Sequence, residues 1–212
     1  MQADDGEALV RVFNTNTQKL YHARFPVRDG EAVVTGSQTI PGVAGSGARV
    51  ALEYLDPAGS RTPGLLPTGK ARDTLALPDG TAVDATLIDA TNPVVVVAAK
   101  DFGLTATEHP EAIDAMKEVA ARIETARRQA GVLMGLGETP EAVPMSVPKI
   151  VLVAPPVEFT DLSGKPHAAD SIDISARAIS MGQAHHALPL TLWMCLACAC
   201  KVEGSVTHEA AP

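Results

Sequence analysis

One short segment, residues 93–99, restricts the fold of this chain more than any other part of the sequence. It reads Pro-Val-Val-Val-Val-Ala-Ala and contains no polar side chain. An uninterrupted apolar run of this length is typical of a strand that is buried on both faces of a sheet. The segment therefore predicts a packed sheet in a protein of the α/β (α+β) class.

Further strands are predicted on both sides of this segment. In residues 19–27 every second side chain is apolar, which is the pattern of a half-buried strand. Asp29-Gly30 follows before another apolar run at residues 31–35, and such a pair predicts a hairpin because glycine accepts a positive φ. Strands are also predicted at residues 82–89 and 149–154, and a weak alternation of apolar residues predicts another at residues 172–179.

Two helices are predicted from apolar residues spaced three and four positions apart. The first begins at Pro110, which suits a first helical turn, and we place its end at Gly131. The second covers about residues 188–202. The segment 135–148 contains three prolines and is a predicted linker, so we divide the chain into two domains, residues 1–147 and 148–212.

Charge and composition exclude several classes of function. Asp and Glu outnumber Lys and Arg by 25 to 17, which gives a formal net charge of −8. We therefore expect no nucleic acid partner and no anionic membrane surface. The longest apolar run, residues 188–200, is too short to cross a bilayer as a helix. The acidic, polar N-terminus shows no secretory signal, so the cytoplasm is the expected compartment.

Residues 176–191 are the most informative part of the sequence about function. A strand, a glycine turn and a helix follow one another there, and free N–H groups at such a helix start can bind a carboxylate. Ser180 and His185 could add side-chain donors. The structural alternative is that Gly182 only turns the chain and that the histidines are surface residues. The residues by themselves leave both interpretations open.

A second candidate loop covers residues 65–73 and contains Thr68, Gly69 and Lys70. Its backbone N–H groups, its hydroxyl and its ammonium group could bind another carboxylate, or the loop is a solvated turn. It is not a P-loop, because Ala71 follows the lysine where Ser or Thr is required. Asn92, just before the apolar strand, could likewise bind a ligand or close an Asx turn.

Three cysteines, Cys195, Cys198 and Cys200, lie within six positions of the second predicted helix. A zinc or redox site is one hypothesis. Their neighbours are apolar, however, and free cysteine in a buried helix behaves as a small hydrophobic residue. A structural zinc site usually has four ligands, and no second pair of ligands accompanies these cysteines. We therefore predict no metal site.

Several segments, in their order along the chain, resemble the PrpF family, which includes 2-methylaconitate cis-trans isomerase, methylitaconate isomerase and 4-oxalomesaconate tautomerase. The pieces span nearly the whole chain, and their ordered combination is more specific than any single piece. They are residues 36–57, Leu65-Leu-Pro-Thr-Gly69, Asp89-Ala-Thr-Asn-Pro-Val94, the helix from Pro110, Val147-Pro-Lys-Ile150 and Ala176-Arg-Ala-Ile-Ser-Met-Gly-Gln-Ala-His-His-Ala187.

The resemblance implies the diaminopimelate-epimerase fold, in which two similar domains, each a curled sheet around a central helix, enclose the active site between them. Residues 1–147 would be most of the first domain and residues 148–212 the start of the second, so the fold would be truncated at both ends. The family implies an isomerase or tautomerase without a cofactor. It shifts a proton and a C=C bond in a small di- or tricarboxylic acid of the 2-methylaconitate or 4-oxalomesaconate type. A small polycarboxylate is then the expected partner, and a homodimer is a possible assembly.

The chain departs from the family pattern in its catalytic motif. The family's catalytic lysine and its Cys-Gly-Asn motif are expected upstream of residue 1, no Cys-Gly-Asn occurs in this sequence, and Lys70 is not that lysine. The resemblance therefore assigns no catalytic residue. The alternative function is a catalytically inactive fragment or a small-acid binding module without the cysteine motif. The substrate-binding residues that the resemblance implies are Thr68, Gly69, Asn92, Ser180, Met181, Gly182 and His185.

Overall fold

The computed structural model describes residues 5–40 and 45–211. The chain forms two compact units, residues 1–57 and residues 58–212, which we call the N-terminal unit and the C-terminal unit. Among the described helices, none combines the length and the apolar character that crossing a bilayer requires.

A four-stranded antiparallel sheet forms the N-terminal unit. Its strands are β1 (Gly6–Asn14), β2 (Lys19–Arg28), β3 (Glu31–Ala32) and β4 (Ala51–Tyr54). Strand β2 pairs with each of the other three. Asp29 and Gly30 join β2 to β3 with φ angles of 53° and 77°. Two consecutive positive φ angles are those of a type I′ turn, so the hairpin that this dipeptide predicts is confirmed.

Alternate side chains divide this sheet into an apolar face and an ion-paired face. Val10 is aligned with Ala23, and Ala23 with Leu52, so these three residues lie on one face. On the other face Arg24 Nε lies 3.0 Å from Glu53 Oε1. The strand that the alternation predicts is confirmed, yet none of the described residues of this unit is buried.

A six-stranded mixed sheet is the centre of the C-terminal unit, and a separate two-stranded ribbon (β9 and β10) accompanies it. In spatial order the large sheet reads β12-β11-β8-β7-β6-β5, and in it only β7 and β8 are parallel. The strands of the unit are β5 (Asp73–Ala76), β6 (Ala82–Asp89), β7 (Pro93–Ala98), β8 (Lys149–Ala154), β9 (Phe159–Thr160), β10 (Pro166–His167), β11 (Ser175–Ser180) and β12 (Gln183–Ala184).

The helices of the C-terminal unit depart in detail from the prediction. They are α1 (Pro110–Ala115), α2 (Lys117–Leu133), α3 (Leu190–Ala199) and α4 (Val206–Ala210). The single helix predicted from Pro110 is wrong at Met116, whose ψ of 72° separates α1 from α2. The break lets Asp114 Oδ1 accept a hydrogen bond from the N–H of Ala184 at 2.9 Å, so a tertiary contact overrides local helix preference.

The end of α2 is also different, because the helix runs past Gly131. Gly135, with a φ of 74°, ends the helix in a Schellman motif. Its N–H donates to the carbonyl of Val132, and the next N–H, of Leu136, donates to the carbonyl of Gly131. Gly131 instead lets the segment that contains Val143 pack closely against α2, since an added Cβ would lie 2.5 Å from Val143 Cγ1.

The apolar segment behaves as its composition predicts. Val94 and Val96 pack in the cluster beneath α3, while Val95 and Val97 pack in the cluster beneath α1 and α2. All four side chains are fully buried. Strand β7 is therefore buried on both faces, as expected, and the α/β class is confirmed.

The compact units do not divide the chain at residue 147. Strand β8 pairs in parallel with β7, so residues on both sides of that position share one sheet and one core. The linker before β8 is a long connection within the C-terminal unit, which the prolines alone did not reveal. The assignment of residues 1–147 and 148–212 to two epimerase-like domains stays a prediction.

Candidate functional site

Polar side chains gather at one end of the large sheet, where β7 and β8 begin and β11 ends. Lys149 opens β8 and is aligned with Val94 of β7. Its Nζ donates a hydrogen bond to Ser180 Oγ, at the end of β11, at 3.1 Å. Lys149 alternates with Val151, and Ser180 with Ala178, so both side chains lie on the face that α3 covers.

Lys149 is a candidate site residue that the sequence reasoning missed. Its strand reads Lys-Ile-Val-Leu-Val-Ala, so it is the only charged residue of a strand that is otherwise apolar. That signal was available, but an opening lysine also occurs at ordinary strand ends. Only the pairing with β11 shows that its ammonium group meets a buried hydroxyl, since Ser180 is 8% exposed.

His185 lies beside this pair. Its backbone N–H donates to the carbonyl of Ala178 at 2.9 Å, while its Nε2 is buried and has no hydrogen-bond partner. Burial, and then the charge of Lys149, lower the pKa of His185 below its ordinary value of 6.5. The imidazole is therefore neutral at physiological pH and can both donate and accept a hydrogen bond.

Asn92 approaches the same end of the sheet from the turn before β7. It stands two residues before Val94, and its backbone carbonyl accepts a hydrogen bond from Cys195 Sγ of α3 at 3.4 Å. Its side-chain Oδ1 is buried without a partner. The neighbouring Thr91 Oγ1 donates to the carbonyl of Thr191, which ties this turn to the first turn of α3. The structure thus brings Asn92, Ser180 and His185 to one region.

Met181 and Gly182 form the hairpin turn between β11 and β12. Their φ angles are 53° and 77°, again those of a type I′ turn, and Met181 is 63% exposed. The glycine turn leads into β12 and not directly into the helix, because α3 begins at Leu190, within the predicted range of residues 188–202. Gly182 therefore has the structural role of turning the chain next to Ser180, and α3 has no side-chain cap at Pro189.

Thr68 and Gly69 lie at the other edge of the sheet. Thr68 Oγ1 donates to Asp73 Oδ2 at 2.6 Å, and Gly69, with a φ of 73°, closes a turn through its N–H and the carbonyl of Leu66. Asp73 begins β5, which three strands separate from β11, a distance of roughly 19 Å across the sheet. The structure therefore does not bring these two residues into contact with the Lys149 group.

A buried carboxylate anchors the segment before this loop, residues 60–62, to the sheet. Asp89, at the end of β6, is fully buried and accepts four hydrogen bonds. The donors are Ser60 Oγ at 2.5 Å, the N–H groups of Arg61 and Thr62 at 2.8 and 3.0 Å, and Thr62 Oγ1 at 2.9 Å. These four bonds satisfy both oxygens of the carboxyl group inside the protein.

Of the three cysteines, Cys195 belongs to the core, Cys198 packs against it, and Cys200 is partly exposed. Cys195 is fully buried, and burial raises the pKa of its thiol to about 12, so it is protonated at neutral pH. Within the part of the chain that the structure describes, no group of three His, Cys, Asp or Glu side chains could hold a metal ion.

Known proteins with similar sequences are isomerases. The 2-methyl-aconitate isomerase of Shewanella oneidensis is 33% identical over 212 residues, which are 98% of this chain and 53% of that protein. The (4E)-oxalomesaconate Delta-isomerase of a Novosphingobium species is 34% identical over 209 residues, 99% of this chain and 53% of the relative. This chain therefore spans about half the length of these relatives.

The fold is similar to that of a solved isomerase. The crystal structure of a methylitaconate-delta-isomerase superimposes with a TM-score of 0.89 at 31% identity, over 97% of this chain and 54% of the other. The family model described as PrpF protein matches residues 3–212. The chain belongs to the PrpF family, as the ordered segments predicted.

Proposed function

We propose that this chain is part of a cofactor-independent isomerase that shifts a proton and a C=C bond in a small di- or tricarboxylic acid. The observation that carries the proposal is the group of Lys149, Ser180, His185 and Asn92 at one end of the sheet. The isomerase names of the relatives support the reaction class, and 2-methylaconitate and 4-oxalomesaconate are the proposed substrate types.

The Lys149–Ser180 pair suits one carboxylate of such a substrate. Because Ser180 Oγ accepts a hydrogen bond from Lys149, its own O–H proton is free to donate outward. The ammonium group adds a positive charge in a partly buried place, where charge-assisted hydrogen bonds are strong. Together they offer two donors to one anionic group.

The same donors favour the intermediate of a proton shift. Removing the allylic proton leaves an enolate-like species whose negative charge spreads onto the adjacent carboxylate oxygens. A cation and a hydroxyl already aimed at those oxygens stabilise the charge without reorganising. The neutral imidazole of His185 can donate a further hydrogen bond. The base that removes the proton remains unassigned in this chain.

The other predicted binding residues lie outside the Lys149 group and are proposed to have different roles. Thr68 and Gly69 are proposed binding residues on the loop beside β5, and Met181 and Gly182 are proposed to shape the edge of the site through their turn. For the whole protein we propose the diaminopimelate-epimerase fold, with the site in the cleft between its domains. The mixed sheet packed between helices supports this architecture.

Binding and chemistry are tested separately. Tricarballylate, a saturated tricarboxylate, serves as the probe in calorimetry with the 212-residue chain. Lys149→Met is expected to weaken its binding about 10–100-fold, since a hydrogen bond to a charged group contributes about 1.5–3 kcal/mol. Lys165→Met, which removes an exposed lysine from the β9–β10 turn, is the control and keeps wild-type affinity. Equal affinity for wild type and Lys149→Met contradicts the proposed site.

Proton exchange distinguishes an enzyme from a binding module. The chain is incubated in D₂O with 2-methylaconitate or 4-oxalomesaconate, and NMR follows incorporation of deuterium. Exchange at the allylic carbon, lost in Lys149→Met, is the expected result for an isomerase. Binding of either acid by the chain without any exchange would favour the small-acid binding module instead.

A further inference from the structure

Arg127 is a buried arginine on α2 that the proposed mechanism does not use. Its side chain is 2% exposed, and it is the largest fully buried side chain of the described residues. Burying a guanidinium group is costly unless all its donors are paired. The partners of this group therefore indicate what its burial achieves.

One side of the guanidinium is held by a carboxylate. Nε and Nη2 of Arg127 donate to the two carboxylate oxygens of Glu124, each at 2.7 Å. This is the paired geometry in which a planar guanidinium binds a carboxylate most tightly. The same Glu124 also accepts a hydrogen bond from Arg128 Nε at 2.7 Å, so two arginines share one anchor.

The other side of the guanidinium faces the chain that enters β8. Nη1 of Arg127 lies 2.9 Å from the carbonyl oxygen of Pro144, and 3.3 Å from each of the carbonyl oxygens of Val147 and Pro148. The residue after Pro148 is Lys149. The guanidinium therefore binds the backbone immediately before the residue whose ammonium group reaches Ser180.

We propose that Arg127 is a positioning residue for the anion site: by binding the carbonyls of Val147 and Pro148 it fixes the start of β8 and so holds the Lys149 ammonium group against Ser180. The inference rests on the proposed function, because it assigns Lys149 to that site. Pairing with β7 and β11 orients β8 from Lys149 onward, and Arg127 fixes the segment before it, which belongs to no strand.

The test compares two conservative variants of neighbouring residues. Arg127→Lys keeps the charge but replaces the planar group by a point donor that cannot hold Glu124 and three carbonyls together. Arg128→Lys is the matched control, because Arg128 binds the same Glu124 but its other hydrogen bond, among the described residues, goes to the carbonyl of Pro140 and not to the segment that enters β8. Both are studied in the 212-residue chain.

The pKa of His185 is a readout that a loss of stability alone does not change. Its pKa is lowered by burial and by the charge of Lys149, so it reports where that ammonium group stands. NMR titration of the imidazole, assigned with His185→Gln, should show a pKa closer to its ordinary value in Arg127→Lys. Lys149→Met sets the full size of the change, and Arg128→Lys should titrate as wild type.

Affinity gives the second readout. Arg127→Lys should weaken tricarballylate binding about tenfold, because the ammonium–carboxylate hydrogen bond is misplaced rather than removed. A folded Arg127→Lys protein with wild-type His185 titration and wild-type affinity overturns the proposal. If that variant does not fold, Glu124→Gln, which loosens the arginine without removing it, should shift both readouts in the same direction, and unchanged values overturn the proposal.

Failure of the proposed function is recognised independently. If the wild-type chain does not bind tricarballylate, the carboxylate site is contradicted. The titration of His185 in Arg127→Lys still shows whether the arginine holds Lys149 in place, since that readout needs no ligand.

Discussion

The two units of this chain use the same kinds of residue with opposite results. In the C-terminal unit, valine, leucine and isoleucine fill two clusters on the two faces of one sheet. In the N-terminal unit, apolar side chains alternate with polar ones along the strands, and Val10 remains 43% and Phe13 55% exposed. Strand patterning therefore produces a sheet, but only covering layers produce a core.

The difference extends to charged side chains. In the C-terminal unit, the charged side chains of Arg127 and Asp89 are buried, and each binds several backbone groups. In the N-terminal unit Arg24 pairs with Glu53 on an exposed face. Exposed pairs contribute about 0–1 kcal/mol, whereas a buried group that loses its partner is strongly destabilising. Matched substitutions in the two units test this contrast.

The largest effect is expected from removing the buried guanidinium. Arg127→Met leaves three carbonyls and part of the Glu124 carboxylate without their donor, and should lower the free energy of unfolding by about 3–5 kcal/mol. Arg24→Met in the N-terminal unit removes an exposed ion pair and should leave the urea midpoint close to that of wild type. Urea unfolding followed by circular dichroism measures both. Equal losses of unfolding free energy in the two variants would show that burial does not make Arg127 more important for stability than Arg24.

A second large contrast concerns apolar truncation. Leu87 lies fully buried in β6, so Leu87→Ala should cost about 2–5 kcal/mol through lost burial and a residual cavity. Val10→Ala in β1 removes side-chain atoms that are already partly in water, and should cost less than about 1 kcal/mol. The same urea experiment compares them. A loss in Val10→Ala as large as that in Leu87→Ala would show that the apolar face of the N-terminal sheet is covered in solution.

An intermediate effect is expected where a buried carboxylate anchors a loop. Asp89→Asn replaces one acceptor oxygen by a donor that faces the donors of Ser60, Arg61 and Thr62, and should cost about 1–3 kcal/mol. Trypsin cleavage after the exposed Arg61 should become faster. Asp56→Asn, at a side chain that is 90% exposed, is the control and should leave stability within about 0.5 kcal/mol. Unchanged cleavage in Asp89→Asn would contradict the anchoring role.

The smallest effect is a dependence of stability on pH. Burial acts to raise the pKa of Glu124, but hydrogen bonds from Arg127 and Arg128 outweigh it and hold the pKa below its ordinary value of 4.5. A carboxylate whose folded pKa is lowered stabilises the protein above its unfolded pKa, and this contribution is lost as pH falls through the folded pKa. Urea midpoints between pH 6 and pH 3 should therefore fall less steeply in Arg127→Lys than in wild type. If the urea midpoints of the two proteins fell in parallel with pH, the lowered pKa of Glu124 would not depend on Arg127.

Local sequence patterns predicted the secondary-structure elements that depend only on neighbouring residues. The Asp29-Gly30 turn needs only two residues that tolerate positive φ, and the strand at residues 149–154 needs only an apolar run after a proline. The break at Met116 was not predictable in this way. It depends on Asp114 reaching the backbone of β12, about 70 residues later in the chain. The same holds for Gly131, whose role is set by Val143 on another segment.

The candidate site shows the same limit. The sequence pointed to Ser180, His185 and Asn92, which the structure brings together. It missed Lys149, because a lysine at the start of a strand has no distinguishing neighbour along the chain. It also grouped Thr68 with these residues, although the strand order places β5 and β11 at opposite sides of the sheet. Strand order depends on long-range pairing, which no local pattern records.

By itself the sequence indicated the α/β class and the burial of residues 93–99, because hydrophobic periodicity is a local property of each helix and strand. The family followed from the resemblance of its ordered segments to PrpF proteins. Only the tertiary structure decided which polar groups meet. A hydrogen bond between Lys149 and Ser180, which are 31 residues apart, requires β8 and β11 to pair in one register. The free energy that selects this register comes from burying both faces of the sheet, a property of the assembled unit rather than of any segment.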